Sequence, residues 1–337
     1  MTTADENRTP PAQYDGRKSV AVLAGASGFV GTALRRALTD EGYELRLIGR
    51  SGPIRWSDAA AVRGAVDGAD LLVNLAGKNV NCRLTDANRA EILRSRLTAT
   101  RALREAVQDA ASPPAVWLNA STATIYRYAL DRPQTEDDLD LDGGFSPDVA
   151  RLWEAELFAG ELPATRRVAM RISIALGDGP ATTLLLRLAR LGAGGPQFDG
   201  RWLPHRRYRG IGPHPTSQPF TWWPSHGRQK FSWIHIDDMI AAMRFIRDTP
   251  SLDGPINLTA PNPVDNRTLM RTLREIVHMP IGIPAPRFVL EPAMWALRTE
   301  PELVLKSRWV LPQKLTDAGF RFTYPELEPA LRAVASR

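Results

Sequence analysis

Apolar positions along this chain fall into two rhythms. Short segments rich in aliphatic and β-branched residues recur at Ser19–Ala24 (SVAVLA), Glu44–Ile48 (ELRLI), Asp70–Leu75 (DLLVNL), Val116–Ser121 (VWLNAS) and Arg167–Ser173 (RVAMRIS). Runs of this length and composition predict strands of a parallel sheet, buried on both faces. Between and after them, Phe29–Glu41, the strongly charged Asp86–Asp109 and the leucine-rich Thr182–Leu191 read as helices. A further strand, Phe231–Ile236 (FSWIHI), leads into a helix ending near Asp248, with Asp237 and Asp238 placed to cap it. The short strand Ile256–Leu258, the loop Pro261–Asn266 and the helix Thr268–Val277 follow, and two or three short helices come after Pro284.

Strands alternating with helices imply βαβ units with right-handed crossovers. The predicted class is therefore α/β, a Rossmann doubly wound parallel sheet with a smaller C-terminal substrate lobe. The expected division is a loose tail over 1–17, a dinucleotide-binding domain over 18–260 and the lobe over 261–337. Residues 195–230 break the alternation, being rich in glycine, proline, arginine and aromatics without a period. They read as an insertion, since a loop of that length inside a compact domain is commonly functional or disordered.

Composition narrows the classes. At 337 residues, 43% of them hydrophobic and 24% charged, the chain can bury a full core and lies far from the disordered range. A lone cysteine, Cys82, excludes an internal disulfide and a cysteine-held metal, and fits a reducing cytoplasm. Residues 1–17 are polar, contain Pro10 and Pro11, and lack a signal peptide's apolar stretch. No run approaches the roughly 18 apolar residues of a membrane span. The expectation is a soluble, cytoplasmic protein with no metal site. A net charge of +6 suits an anionic partner or simply an arginine-rich proteome, and decides nothing alone.

Candidate chemistry begins at Gly25-Ala26-Ser27-Gly28-Phe29-Val30-Gly31, between a buried strand and a helix, where a dinucleotide fingerprint belongs. The first glycine permits the tight turn, the second a close approach of pyrophosphate, and the third close packing of helix on strand. Unpaired amides and the positive dipole end of the helix then face the phosphates. Arg50 ends the second strand, where an arginine can pair with the 2′-phosphate of NADP and an acid would hold the 2′-hydroxyl of NAD. NADP is the expected cofactor, with NAD the alternative. Leu75, Ala76 and Gly77 are small enough to pass beside a cofactor ribose, Asp67 and Asp70 read as structural carboxylates, and Ser121, Thr122, Thr124 and Tyr126 gather at a strand end on the ligand side of the sheet.

With its GxxGxxG turn and the segment Ser121–Tyr126 (STATIY), the chain resembles the extended short-chain dehydrogenase/reductase superfamily. More narrowly it resembles NAD-dependent epimerase-like proteins with a small distinctive C-terminal domain, through Asn74–Gly77, Phe231–Asp238, Asn257–Pro263 and Leu311–Leu331. The resemblance spans about residues 19–335. It implies that Thr122 touches the reacting carbonyl or alcohol, that Ser121 and Ser173 border the cofactor, and that a tyrosine and a lysine four residues on manage the proton. That pair falls about 20 residues after Tyr126, where the chain has Asp148 and Leu152. Tyr126, Tyr128, Asp148 and Glu154 are then the nearest proton carriers by sequence, Tyr126 the one retained with Thr122 as catalytic. Lys78 is a second departure, standing where many relatives place an acid.

Arg94 and Arg96 face either phosphates or an acidic substrate, or else belong to a solvated helix face, and His235 reads as a packed strand histidine. The insertion interleaves Arg201, Arg206, Arg207, Arg209, Arg228 and Lys230 with Phe198, Trp202, Tyr208, Phe220, Trp222 and Trp223. Three uses stay open for it: a lid over a substrate, structural packing or a homodimer contact, and a nucleic-acid surface. The leading reading is an NADP(H)-dependent oxidoreductase or epimerase-like enzyme for a small carbonyl or hydroxyl compound. The rival is a catalytically silent NADP(H)-binding sensor or scaffold.

Overall fold

The computed structural model describes residues 17–200, 205–217, 225–296 and 305–336. Seven parallel strands form the central sheet: β1 (Val20–Ala24), β2 (Glu44–Gly49), β3 (Ile54–Arg55), β4 (Leu71–Asn74), β5 (Val116–Thr122), β6 (Arg166–Ile172) and β7 (Gly254–Leu258). Their order across the sheet is β3-β2-β1-β4-β5-β6-β7, so the winding reverses between β1 and β4. In open α/β sheets a ligand crevice lies outside the strand ends at such a reversal.

Helices α1 (Phe29–Asp40), α2 (Ala59–Val66), α3 (Asp86–Asp109), α4 (Phe145–Phe158), α5 (Pro180–Arg190), α6 (Ile236–Asp248) and α7 (Asn266–Ile276) connect and cover the strands. Among the described residues, α8 (Arg287–Ala296), α9 (Gln313–Asp317) and α10 (Leu327–Ala335) come after them. All five residues of β1 are buried, which its unbroken VAVLA run required. One face of the sheet packs Leu23, Val73, Leu118 and Met170 against α1 and α6. The other packs Val22, Leu72, Trp117 and Ala169 against α2 and α3. A second core joins Leu176, Leu186, Phe231, Trp233, Leu269, Leu273 and Leu331, drawing on both sides of residue 260.

The strand expected at Phe231–Ile236 divides. Lys230–Phe231 pairs antiparallel with Val264–Asp265, while Trp233–His235 pairs parallel with Ile174–Leu176. Ser232 turns the chain between them, its hydroxyl donating to Arg308 O at 2.7 Å. Capping differs too. His235 is the N-cap of α6, its Nδ1 accepting from the Asp237 amide at 3.2 Å, and the ring packs on Tyr324 with centroids 4.1 Å apart. Asp238 turns away from the helix and accepts the amides of Thr323 and Tyr324 at 2.8 and 2.9 Å, tying the C-terminal stretch to the sheet domain. Asp70 accepts the Val20 amide at 2.7 Å and Asp67 the Ser112 amide at 2.8 Å, the structural roles expected of both. No helix is long and apolar enough to cross a membrane among the described residues.

Candidate functional site

The glycine turn is shaped by contacts a side chain would abolish. Gly25 has φ +85°, and a Cβ there would lie 2.7 Å from the Leu75 carbonyl. A Cβ on Gly31 would meet Gly25 O at 2.2 Å, so α1 can approach β1 this closely only through a glycine. At Gly28 the protein itself imposes no such limit, since the nearest atom would be 3.6 Å away. Gly28 is also the N-cap of α1, with no side chain capping the helix and no acid in its first turn. Its amides are left for an anion.

Beside it, the loop after β4 is held by a buried amide network. Asn74 donates to Asn119 Oδ1 at 2.7 Å and to Thr100 Oγ1 at 3.2 Å, and accepts the Ala76 amide at 3.0 Å. Trp153 donates to the same Thr100 hydroxyl at 2.9 Å, coupling α4 to α3. The Lys78 amide donates to Ser95 Oγ at 2.9 Å, and Arg96 donates to Lys78 O at 3.1 Å. Position 78 thus serves through its backbone, and Ser95 and Arg96 of α3 clamp the loop.

At the end of β5, Ser121 Oγ lies 2.6 Å from Glu154 Oε1 of α4 and donates to it. Glu154 also accepts from Arg171 Nε and Nη2 at 2.9 and 2.8 Å, a buried two-point ion pair. Arg171 Nη1 donates to the Tyr126 hydroxyl at 2.8 Å, which in turn donates to Asn257 Oδ1 at 2.9 Å. Tyr126 is fully buried, and this burial, against the opposing pull of Arg171, pushes its phenol up to about 12. Tyr126 is a core residue of a charge network and does not reach the cavity described below. Tyr128 is tied elsewhere, donating to Asp199 at 2.7 Å, and burial raises its pKa.

Helix α4 settles where a tyrosine and lysine would have stood. Asp148 is 3% exposed and faces away from the strand ends, accepting from the amides of Ile211 and Thr216 at 3.0 and 2.9 Å and from Thr216 Oγ1 at 2.7 Å. Leu152 lies on the same side, against Gly212. The residues four apart that do face the strand ends are Phe145, Val149 and Trp153, with Ser146 beside them. The register is one residue away from that read at 148 and 152, and this face carries no phenol and no ammonium.

These elements enclose one cavity of about 430 Å³. Gly25, Gly28, Phe29, Val30, Gly31, Leu75, Ser121, Thr122 and Ser173, all expected from sequence, are in its wall. Ser27 and Gly77 are exposed and Ala76 is buried, and all three lie outside the wall, Ser27 and Ala76 next in the chain to wall residues. Arg50 is exposed at the end of β2. The two arginines of α3 part company: Arg94 is exposed and paired with Glu91, while Arg96 lines the cavity. Sequence reading missed the apolar wall of Phe145, Val149 and Trp153, whose spacing of four was its signal, and Arg308, which arrives from a remote stretch.

Part of the insertion closes against this region. Arg89 of α3 donates to the carbonyls of Arg206, Arg209 and Gly210, and Tyr208 donates to Glu291 of α8. Arg206 pairs with Asp86 at 3.2 Å and Lys230 lies over the Trp309 ring at 4.7 Å. Arg201, Trp202, Phe220, Trp222 and Trp223 lie outside the described residues.

Comparison with known proteins agrees with this architecture. Residues 21–144 match the NAD dependent epimerase/dehydratase family, and residues 285–334 match a domain of unknown function, DUF1731. The chain is 31% identical to the epimerase family protein YfhF of Bacillus subtilis over 92% of its own length and 95% of the relative's. It is 32% identical to the bovine epimerase family protein SDR39U1, over 93% and 98%. The crystal structure of human SDR39U1 with NADPH superposes with a TM-score of 0.79 at 28% identity, over 94% of this chain and 99% of that one. Taken with the glycine turn and the seven-stranded sheet, this full-length likeness places the chain in the NAD dependent epimerase/dehydratase family of extended short-chain dehydrogenases/reductases, among the members that end in a DUF1731 domain.

Proposed function

We propose that the chain is an NADP(H)-dependent oxidoreductase or epimerase-like enzyme acting on a small carbonyl or hydroxyl compound. The observation that carries this reading is the continuity of one cavity from the glycine turn to the hydroxyls of Ser121 and Thr122. The residues present fit a dinucleotide: a cradle at Gly25 and Gly31 that a Cβ would fill, and the uncapped amides of α1. Gly25, Ser27, Gly28, Phe29, Val30 and Gly31 would hold the pyrophosphate, Leu75, Ala76 and Gly77 a ribose, and Ser121 and Ser173 the border of the reacting end. Arg50 would take the 2′-phosphate, in keeping with the NADPH of the human relative. Bound there, the cofactor supplies or accepts a hydride.

The chain's own groups orient the substrate. Ser121 commits its proton to Glu154 and so offers a lone pair, while Thr122 Oγ1 accepts the Thr124 amide at 3.2 Å and keeps its hydroxyl at the strand end. Among the described residues of the wall, proton donors are hydroxyls and guanidinium groups. That favours a second reading, a silent NADP(H)-binding sensor or scaffold. Steady NADPH oxidation with a carbonyl panel separates the two. The enzyme reading expects turnover that falls about 10²-fold or more in Thr122→Ala; binding of NADPH with no turnover across the panel would leave the sensor.

A further inference from the structure

Arg96 differs from several arginines in the protein's interior. Arg171 is paired with Glu154, Arg247 with Glu41 and Asp248, and Arg104 with Glu156. Among the described residues Arg166 has no carboxylate within ion-pair distance but is capped by the carbonyls of Ile246, Arg247 and Leu252, and Arg167 by those of Leu157, Ala159 and Gly160. Arg96 uses a single nitrogen, Nη1, on two carbonyls, Lys78 O at 3.1 Å and Ile92 O at 3.0 Å. No carboxylate pairs with it among the described residues. A guanidinium carries five N–H donors in a fixed fork, so most of its capacity is unspent.

Its surroundings show what kind of partner it lacks among the described residues. The guanidinium carbon sits 4.9 Å from the centroid of the Trp153 ring, a cation-π contact that orients the fork without neutralising it. Burial pushes its pKa down to about 10, still well above neutrality, so the charge persists in a poorly solvated place. A charge held there is stabilised by an opposite charge and two-point hydrogen bonds. On the α3–α4 side the cavity wall is apolar, with Val80, Leu84, Ile92, Phe145, Val149 and Trp153, while Ser121, Thr122, Thr124, Ser173 and Arg308 belong to other parts of it. Against the α3–α4 side a polyhydroxylated ligand would lose its water and gain few hydrogen bonds in return. An apolar body ending in a compact anion would gain on both counts.

Resting on the NADP(H)-enzyme reading above, we propose that the substrate is a small carboxylate with an apolar body, its carboxylate received by Arg96 and its hydrocarbon by the α3–α4 wall. The wall thereby selects against sugar substrates, and Arg96 acts as a substrate-binding group distinct from the cofactor's own anion site at α1.

The test uses 3-phenylpropanoate and its uncharged isostere 3-phenylpropanamide, titrated calorimetrically into the full chain loaded with NADP⁺ at pH 7. The carboxylate binds about tenfold tighter than the amide in the wild type, as expected for one charge-assisted fork pair. Arg96→Met erases that preference and Arg96→Lys keeps part of it, and because Arg96 also clamps the loop after β4, NADPH affinity is titrated alongside. Equal affinity for acid and amide in the wild type overturns the proposal, and that comparison needs no variant to fold. An acid-over-amide preference that survives in Arg96→Met also overturns it, assigning the carboxylate to another group while leaving the enzyme reading intact. Absence of NADPH binding in the wild type would sink the enzyme reading instead, and the acid-amide comparison on nucleotide-free protein would still decide the role of Arg96.

Discussion

Single residues decide what this site can do. Tyr126 ends the STATIY segment and has the chemistry of a proton carrier, but nothing in the local sequence shows that Arg171 and Asn257, remote in the chain, close around its hydroxyl. Its raised pKa has a measurable consequence. The unfolded phenol loses its proton near pH 10 and the folded one near 12, so the native state holds the extra proton between them. The stabilisation is complete below pH 10 and is lost as pH rises through 12, on the order of 2 kcal/mol. Denaturation at increasing pH should show wild type losing stability more steeply above pH 10 than Tyr126→Phe, and Tyr126→Phe should retain any NADPH oxidation measured for the wild type. A variant with abolished turnover but intact NADPH affinity would return Tyr126 to the reacting groups.

At the scale of elements, the network from Ser121 through Glu154 and Arg171 to Tyr126 ties β5, α4 and β6 together behind the cavity. Removing one partner of a buried pair strands the other charge. Glu154→Gln should therefore lower stability by about 3–5 kcal/mol in urea unfolding, and joining Glu154→Leu with Arg171→Met should recover most of it. A Glu154→Gln protein as stable as wild type would show that Arg171 finds another acceptor. Elements with a strong periodic signal were legible in the sequence: β1, β4 and β5 lie where their apolar runs put them, and α3 spans Asp86–Asp109 as read. Two-residue β3 carries too little pattern to stand out, and the FSWIHI strand was read as continuous because Ser232 breaks it only through contacts with Arg308 and Val310. The faces of α4 were misread for a related reason. Asp148 drew attention as an ionisable residue, yet its partners Ile211 and Thr216 belong to the insertion and turn it away from the strand ends.

Across the whole molecule, a strongly patterned sheet places one part of the cavity wall, and less regular segments finish the other. The glycine turn, Leu75, Ser121, Thr122 and Ser173 were legible because they lie at fixed places on the strands and their ends. Arg308 was not, because a residue from beyond 300 reaches the cavity only through tertiary packing. The second core, shared by α5, α7, α10 and the strand Trp233–His235, holds those later segments against the sheet domain. On the proposed reading this frame binds NADP(H), with Arg50 reading the 2′-phosphate. Isothermal titration with NADPH and with NADH, on wild type and on Arg50→Ala, tests it most directly. NADPH binding should weaken about tenfold or more in Arg50→Ala, with NADH affinity unchanged. Equal loss for both nucleotides would contradict the role of Arg50, and failure of the wild type to bind either would contradict the claim itself.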